Sequence, residues 1–297
     1  MPSIIHYTNC PVCGSSEISF VFSVKDNTVS KQEFEIWECK SCTLRFTQDI
    51  PGVDSIGSYY KSEEYISHSN TSKGLINRLY KAVRNRSLLK KRQLVQKSTT
   101  LGRGKLLDLG SGIGSFVNEM HTHGWDVTGI EPDSDARNVA LNLYDIKLSG
   151  NELYDSLPEN FFDVITLWHV LEHVHDLHDY VSFLKKRLKE KGLIFIAVPN
   201  YTSFEARIYK QYWAAYDVPR HLYHFTPQSM NNLMNRHGLK IVDHKPMWFD
   251  SFYISLLSTK YKSGINWAGA LWNGLYSNLK AVQNTERCSS VIYIVSK

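Results

Sequence analysis

The run Lys105-Leu106-Leu107-Asp108-Leu109-Gly110-Ser111-Gly112-Ile113-Gly114-Ser115-Phe116 constrains the fold of this chain more than any other stretch. Apolar residues flank one aspartate, three glycines follow at alternate positions, and an amphipathic segment comes next. That order describes a buried parallel strand turning tightly into a helix, with no side chain between the turn's backbone and a ligand laid against it. Twenty-one residues beyond Gly110, at the end of a second predicted strand (125–130), stands Glu131. A carboxylate there can accept both hydroxyls of a ribose. The glycines are spaced GxGxG, not GxGxxG as in nicotinamide-binding folds, which favours another adenosine-bearing cofactor over NAD.

Beyond this run, strand and helix patterns alternate, as in a parallel sheet with crossover helices. The predicted strands are 105–109, 126–130, 162–167, 193–198, 240–244 and 290–295, with a weaker one at 146–148. Asp176 is placed to cap a helix with Tyr180, Val181, Leu184 and Leu188 on its apolar face and Gly192 as its stop. Thr226-Pro227 reads as an N-cap followed by proline at the first helical position. A length of 297 residues allows one or two domains, and 42% hydrophobic content is ordinary for a globular protein. The first residues, Met1 to His6, lack the basic and apolar regions of a signal peptide. The longest uncharged stretch, 263–279, is too short and polar to span a bilayer. The expected location is cytoplasmic.

The segment 65–107 holds eleven Lys or Arg and no acid, leaving a net charge of −6 on the remainder of a chain that totals +5. It reads either as a solvated helical face or as a surface for an anionic partner: nucleic acid, membrane headgroups or a phosphorylated substrate. Leu75, Ile76, Leu79 and Val83 recur at helical spacing, which favours a docked amphipathic helix over a free tail.

Cys10-Pro11-Val12-Cys13 and Cys39-Lys40-Ser41-Cys42 form two CxxC pairs separated by twenty-five residues. Each pair suits a knuckle that points two thiolates at one ion, and two knuckles complete a tetrahedral site. Gly14 follows the first pair, where a knuckle often needs a positive φ, and short alternating strands lie between (18–22 and 34–38). Together these describe a zinc ribbon over residues 1–48. Four thiolates saturate the ion, so its expected role is structural. The lone Cys288 reads as a core residue. A connector with the basic helix spans 49–100, and the main domain spans 101–297 with an aromatic-rich insertion near 248–287.

Three blocks in order carry a family resemblance: 108–114, then Gly129-Ile130-Glu131-Pro132-Asp133, then Phe162-Asp163-Val164-Ile165 leading into His169-Val170-Leu171-Glu172-His173-Val174. Over residues 101–297 the chain resembles the class I S-adenosylmethionine-dependent methyltransferases. The implied fold is α/β, a Rossmann-like sheet with helices on both faces. The resemblance implies that Asp108, Gly110, Ser111, Gly112, Gly114, Glu131, Pro132, Asn151, Trp168 and His169 surround S-adenosylmethionine, with Asp108 near its amino acid portion and Glu131 on its ribose. Asn151 stands where many relatives carry an aspartate facing the adenine.

Methyl transfer from a sulfonium requires alignment of a nucleophile and, where needed, removal of its proton. The loop 213–227 follows the fourth main strand and is expected over the sheet's carboxyl edge. His221 is the candidate general base, because imidazole titrates near neutral pH. Arg220 is assigned to a substrate phosphate or carboxylate, or to anchoring of the loop, and His224 to structure. His169-Val170-Leu171-Glu172-His173 also matches an HxxEH zinc-hydrolase pattern, but it follows a buried strand here, not the long helix that chemistry needs. In the insertion, the aromatics read as extra core or as a cap over the acceptor, with Asp250 and Tyr253 placed to touch substrate. A membrane-surface helix is a third reading of this stretch, weakened by the few basic residues on its polar face.

The leading expectation is methyl transfer to a hydroxyl of a small-molecule or glycan-precursor acceptor, anionic in one reading. Enzymes that C-methylate nucleotide-linked sugars carry Glu-His where this chain has Arg220-His221, and a large carboxy-terminal domain with no counterpart in this sequence. The loop looks more like the ubiquinone-type O-methyltransferase subgroup. Two other readings are a nucleic-acid methyltransferase and a non-catalytic partner-binding module. Leu167-Trp168-His169-Val170 in place of an Asn/Asp-Pro-Pro-aromatic block counts against the first.

Overall fold

The computed structural model describes residues 3–60, 75–264 and 267–297, with the side chains of its long basic helix given from Val83 onward. Leu75, Ile76 and Leu79 of the predicted apolar stripe therefore lie outside the described side chains.

The N-terminal part is built on short strands: β1 (Ile4–Ile5), β2 (Ile18–Lys25), β3 (Glu33–Cys39), β4 (Arg45–Thr47) and β5 (Ile50–Pro51). Gly14 takes φ +73° and its N–H closes the first knuckle on the Cys10 carbonyl at 2.9 Å. β2, β3 and β4 form an antiparallel sheet, and the bulge between Phe20 and Phe22 shifts its register. Its fourth strand, β10 (Tyr223–His224), comes from the distant loop that carries His221, pairing with Arg45 and Phe46. The cysteines also share one apolar cluster with Leu107, Ile165 and Val291 of the main sheet. The boundary expected at residue 48 thus separates segments of sequence but not of core.

The basic helix (Leu75–Thr99) leads into the main sheet: β6 (Lys105–Leu109), β7 (Asp126–Ile130), β8 (Phe162–Trp168), β9 (Leu188–Pro199), β11 (Lys240–Pro246) and β12 (Ser290–Ser296). The strand order is β11-β12-β9-β8-β6-β7. β7, β6, β8 and β9 are parallel, whereas β12 runs antiparallel to both β9 and β11. Burial on both sides explains the near-continuous apolar strands. On one face, Leu107, Ile165 and Ile196 meet helices Leu177–Arg187 and Pro227–Arg236 through Val181, Leu184, Met230 and Leu233. On the other, Leu106, Val164, Phe195 and Ile294 meet Val95 of the basic helix and Phe116 and Met120 of helix Ser115–Thr122. The basic helix is docked through Leu88, Leu94 and Val95, outside the stripe its spacing predicts, and Arg92 pairs with Glu119 at 2.7 Å.

Three local expectations change. Residues 146–148 form no strand; one parallel bridge, Ile130 to Ser149, stands there. Asp176 occupies the N-cap position but its side chain makes no cap hydrogen bond. The helix ends at Arg187 and Gly192 lies inside β9, where a Cβ would meet Leu188 Cδ1 at 2.7 Å. Thr226 does cap its helix, through a reciprocal box with Ser229. The insertion folds as helices Asp250–Ser263 and Trp267–Gln283, whose outer residues Trp267, Leu271, Trp272 and Leu279 are exposed, so much of the stretch is not core. Ile265 lies outside the described residues. Among the described residues, no helix is long and apolar enough to cross a membrane.

Candidate active site

Gly110, Gly112 and Gly114 all adopt positive φ (+65°, +53° and +73°), conformations that L side chains resist. Their surroundings differ. A Cβ on Gly110 would lie 2.5 Å from Val170 Cγ2, and one on Gly114 2.9 Å from the Ala140 Cβ. A Cβ on Gly112 would meet nothing within 4 Å, so this glycine faces open space. Ser111 is buried and its hydroxyl donates to the Asp108 carbonyl at 2.9 Å, which stiffens the turn.

Glu131 ends β7 beside that opening. Its Oε2 accepts from the Gly112 N–H at 2.7 Å and its Oε1 from the Asp133 N–H at 3.0 Å. Burial raises its carboxyl despite these two bonds. Pro132 is exposed, its carbonyl taking Arg137 Nη1 at 2.7 Å, and Asn151 opens an exposed 3-10 turn. A side-chain-free turn beside a carboxylate is the donor set an adenosine ligand needs, so these residues fit S-adenosylmethionine. Asp108 is buried at the end of β6 and accepts from Thr166 Oγ1 at 2.5 Å. Burial pushes its carboxyl up to about 6, partly opposed by Thr166 and by the Lys91 ammonium.

The end of β8 carries a charge arrangement that the sequence did not reveal. His169, at φ +61°, holds Glu172 Oε1 at 3.3 Å with Nδ1 and Asp250 Oδ2 at 3.0 Å with Nε2. Burial favours the neutral ring, but the two carboxylates win and raise its pKa to about 10. His169 is therefore a cation bracketed by acids and not simply a wall. Trp168 stacks edge-on against Phe116 at 5.3 Å and under the Lys91 ammonium at 4.3 Å.

His221 sits on the opposite side of Glu172. Its Nδ1 lies 2.8 Å from the Ala215 carbonyl, which can only accept, so Nδ1 carries a proton, while Nε2 lies 4.0 Å from Asp217 Oδ2. Its ring packs edge-on against His173 at 4.6 Å. His173 is fixed by the Arg220 carbonyl and the Tyr60 hydroxyl, each 2.9 Å from Nδ1. Burial and then the charge of His221 push His173 down to about 4. Glu172 is fully buried, and its Oε2 has no hydrogen-bond partner among the described residues. One ligand atom from each of Glu172, His173 and His221 lies within 4.8 Å of the others, a group able to hold a proton or a divalent cation.

Arg220 is 2% exposed and lies among protein partners. Its guanidinium binds Asp217 Oδ1 at 2.6 Å, Asp26 Oδ1 at 3.1 Å, the Tyr59 carbonyl at 2.9 Å, and the Thr28 hydroxyl. It anchors the His221 loop to the N-terminal sheet, the second of the two roles considered for it. Tyr253 is half exposed on its helix, while Asp250 from the same helix reaches His169. His224 is buried, with Nε2 3.2 Å from Thr47 Oγ1, a structural place.

Cys10, Cys13, Cys39 and Cys42 converge with one Sγ each within 4.8 Å of the others, and with closest pairs at 3.5 Å. Tetrahedral thiolates at about 2.3 Å from zinc stand roughly 3.8 Å apart, so the donor set fits that ion.

The chain matches a family model described as a methyltransferase domain over residues 77–244. Among curated relatives, the ubiquinone biosynthesis O-methyltransferase of Glaesserella parasuis is 36% identical over 110 residues, covering 33% of this chain and 47% of that protein. The protein of the same name from Rhizobium leguminosarum is 27% identical over 164 residues, covering 49% and 63%. The chain thus spans about half to two thirds of the length of these relatives. Solved structures include an S-adenosylmethionine-dependent methyltransferase from Archaeoglobus fulgidus (19% identity, TM-score 0.46, 69% of this chain and 94% of that one). Another is a possible histamine N-methyltransferase from Thermotoga maritima (16%, 0.48, 75% and 96%). The glycine turn, the acid at the end of the second strand and a family model covering more than half of the sequence agree: the chain belongs to the class I S-adenosylmethionine-dependent methyltransferases.

Proposed function

We propose that this protein transfers the methyl group of S-adenosylmethionine to a hydroxyl of a small-molecule or glycan-precursor acceptor, with His221 as the base. The observation that carries the reading is a continuous chain of contacts from cofactor turn to base. Gly110 packs on Val170, the Val170 carbonyl accepts the His173 N–H at 3.0 Å, and the His173 ring meets His221. When bound, S-adenosylmethionine supplies a methyl group already activated on a sulfonium. The protein's share is then to hold the acceptor hydroxyl in line and remove its proton. The atom for that step is His221 Nε2, since Nδ1 is held by the Ala215 carbonyl, and the buried Glu172 carboxylate close to it stabilises the imidazolium that results. The names of the curated relatives support a hydroxyl acceptor. The four cysteines support a structural zinc ion, because four thiolates leave it no open position.

Methyl-labelled S-adenosylmethionine incubated with a fractionated cell extract tests the reading. Label is expected in a nuclease-resistant small-molecule or glycan fraction. His221→Ala should slow its appearance by about a hundredfold or more while leaving S-adenosylhomocysteine affinity unchanged. Nuclease-sensitive label would overturn the acceptor class, and an unimpaired His221→Ala protein would remove His221 from the mechanism.

A further inference from the structure

A cavity of about 250 Å³ lies between the basic helix and the link from β11 to helix Asp250–Ser263. Ser87, Lys90, Lys91 and Leu94 form one wall, while Lys245, Met247, Trp248, Phe249 and Asp250 form the other. β11 runs parallel to β9, so this link leaves the sheet at the same carboxyl edge as the glycine turn. Asp250 connects the two places: it lines the cavity and holds His169 at 3.0 Å.

The lining combines flat apolar surfaces with ammonium groups. Lys90 Nζ lies 5.2 Å over the Phe249 ring, and Lys91 Nζ 4.3 Å over the Trp168 ring. Among the described residues neither has a carboxylate within 4.0 Å. Lys245 is paired with Asp243 at 2.6 Å. The one acid in the wall, Asp250, pairs with His169 at 3.0 Å and also acts on Lys91 through space, as does Asp108, so what the cavity offers an anion is two ammonium groups without a contact ion pair.

We propose that this cavity is the acceptor pocket and that it takes a single-ring acceptor bearing a carboxylate or phosphate, with the anion on Lys90 and Lys91 and the ring against Phe249 and Trp248. The proposal rests on the methyl-transfer reading above, but not on His221 as the base, which does not line this cavity, and adds the substrate class to it. Size suits a small acceptor: about 150 Å³ admits a benzene ring, so about 250 Å³ accommodates one ring with a few substituent atoms. Charge selects further. Burial lowers the Lys91 ammonium to about 8, and an anion beside it restores the favoured charged form. A neutral ring of the same shape gains the apolar contacts but leaves both ammonium groups without an ion partner.

The test uses the full chain saturated with S-adenosylhomocysteine and three probes observed by ligand NMR: salicylate, its neutral isostere salicylamide, and phenyl phosphate. At least one anion should bind about tenfold tighter than salicylamide, and which one does distinguishes a carboxylate from a phosphate. Lys90→Gln with Lys91→Gln should erase that preference while leaving salicylamide binding and S-adenosylhomocysteine affinity within twofold. Equal binding of all three probes, or no binding of either anion at millimolar concentration, overturns the proposal. So does a parallel loss of S-adenosylhomocysteine affinity in the variant, which would give the lysines to the cofactor. Label transfer by the unaltered protein reads the methyltransferase assignment separately, so failure of the pocket and failure of the enzyme are distinguishable.

Discussion

Asp26 and Arg220 stand 194 residues apart in sequence and meet as a buried pair, with side chains 0% and 3% exposed. Burial alone would raise the Asp26 carboxyl. Hydrogen bonds from the Ser30 N–H and hydroxyl, the Thr28 N–H and the Arg220 charge hold it well below the usual carboxylate range instead. Neutralising Asp26 leaves Arg220 paired with Asp217 but removes the charge that these hydrogen bonds favour, at a cost of about 1.5–3 kcal/mol. Asp26→Asn should therefore lower the melting temperature clearly at pH 7. Because the folded-state pKa is depressed, this stabilisation is complete above the unfolded carboxyl value near 4 and is lost as pH falls below it. The gap between the unaltered protein and Asp26→Asn should accordingly narrow from pH 4 downwards in thermal melts; a constant gap would show that the carboxylate charge is not what matters. Glu131 carries a prediction about binding. Its two oxygens are prepositioned by the Gly112 and Asp133 N–H groups, so Glu131→Ala should weaken S-adenosylhomocysteine at least about tenfold by calorimetry. Unchanged affinity would remove it from the ribose.

At the scale of elements, the glycine turn and the His169–His173 segment are in register because Gly110 leaves room for Val170. Gly110→Ala adds a left-handed strain of about 1–2 kcal/mol and a Cβ 2.5 Å from Val170 Cγ2. Since the Val170 carbonyl holds the His173 N–H, the displacement should reach the His221 side of the site. Methyl transfer by Gly110→Ala should fall more than tenfold, and Val170→Ala in the same protein should recover part of it by removing the clashing methyls. Absence of any recovery would place the defect in backbone strain alone. The strands and the turn were legible because each is a local pattern: apolar periodicity, alternate glycines, an acid at a strand end. The partners of His169 and Arg220 were not. Asp250 and Asp26 reach them only through the fold: Asp250 is singled out in sequence as a substrate contact and not as a partner of His169, and nothing near Asp26 distinguishes it from a solvated acid. Likewise Tyr223-His224 reads in sequence as part of a loop, with His224 structural, yet it is an edge strand whose pairing partner, β4, lies in the cysteine-bearing segment.

For the molecule as a whole, that borrowed strand decides how the cysteine centre matters. A self-contained ribbon of some fifty residues would melt alone when its ion is removed, because so small a unit buries little core. Here Cys10, Cys39 and Cys42 lie in the same apolar cluster as Leu107, Leu167 and Val291, and Thr43 and Arg45 reach Thr226 and Tyr216 of the later loop. The His221 loop is therefore framed on one side by the cysteine centre and on the other by the sheet. Loss of the proposed zinc ion should propagate through that frame. Cys39→Ser, or treatment with a strong chelator, should lower the melting temperature by about 10 °C or more, several kcal/mol for a chain of this size, and do so in one transition. Methyl transfer should fall with it while S-adenosylhomocysteine still binds at temperatures below the melt, because the glycine turn and Glu131 follow β6 and β7 of the main sheet, whereas β10 belongs to the separate N-terminal sheet. A separate low-temperature transition with full activity retained would mean that the cysteine segment folds alone, and that the strand at Tyr223-His224 transmits nothing to the site.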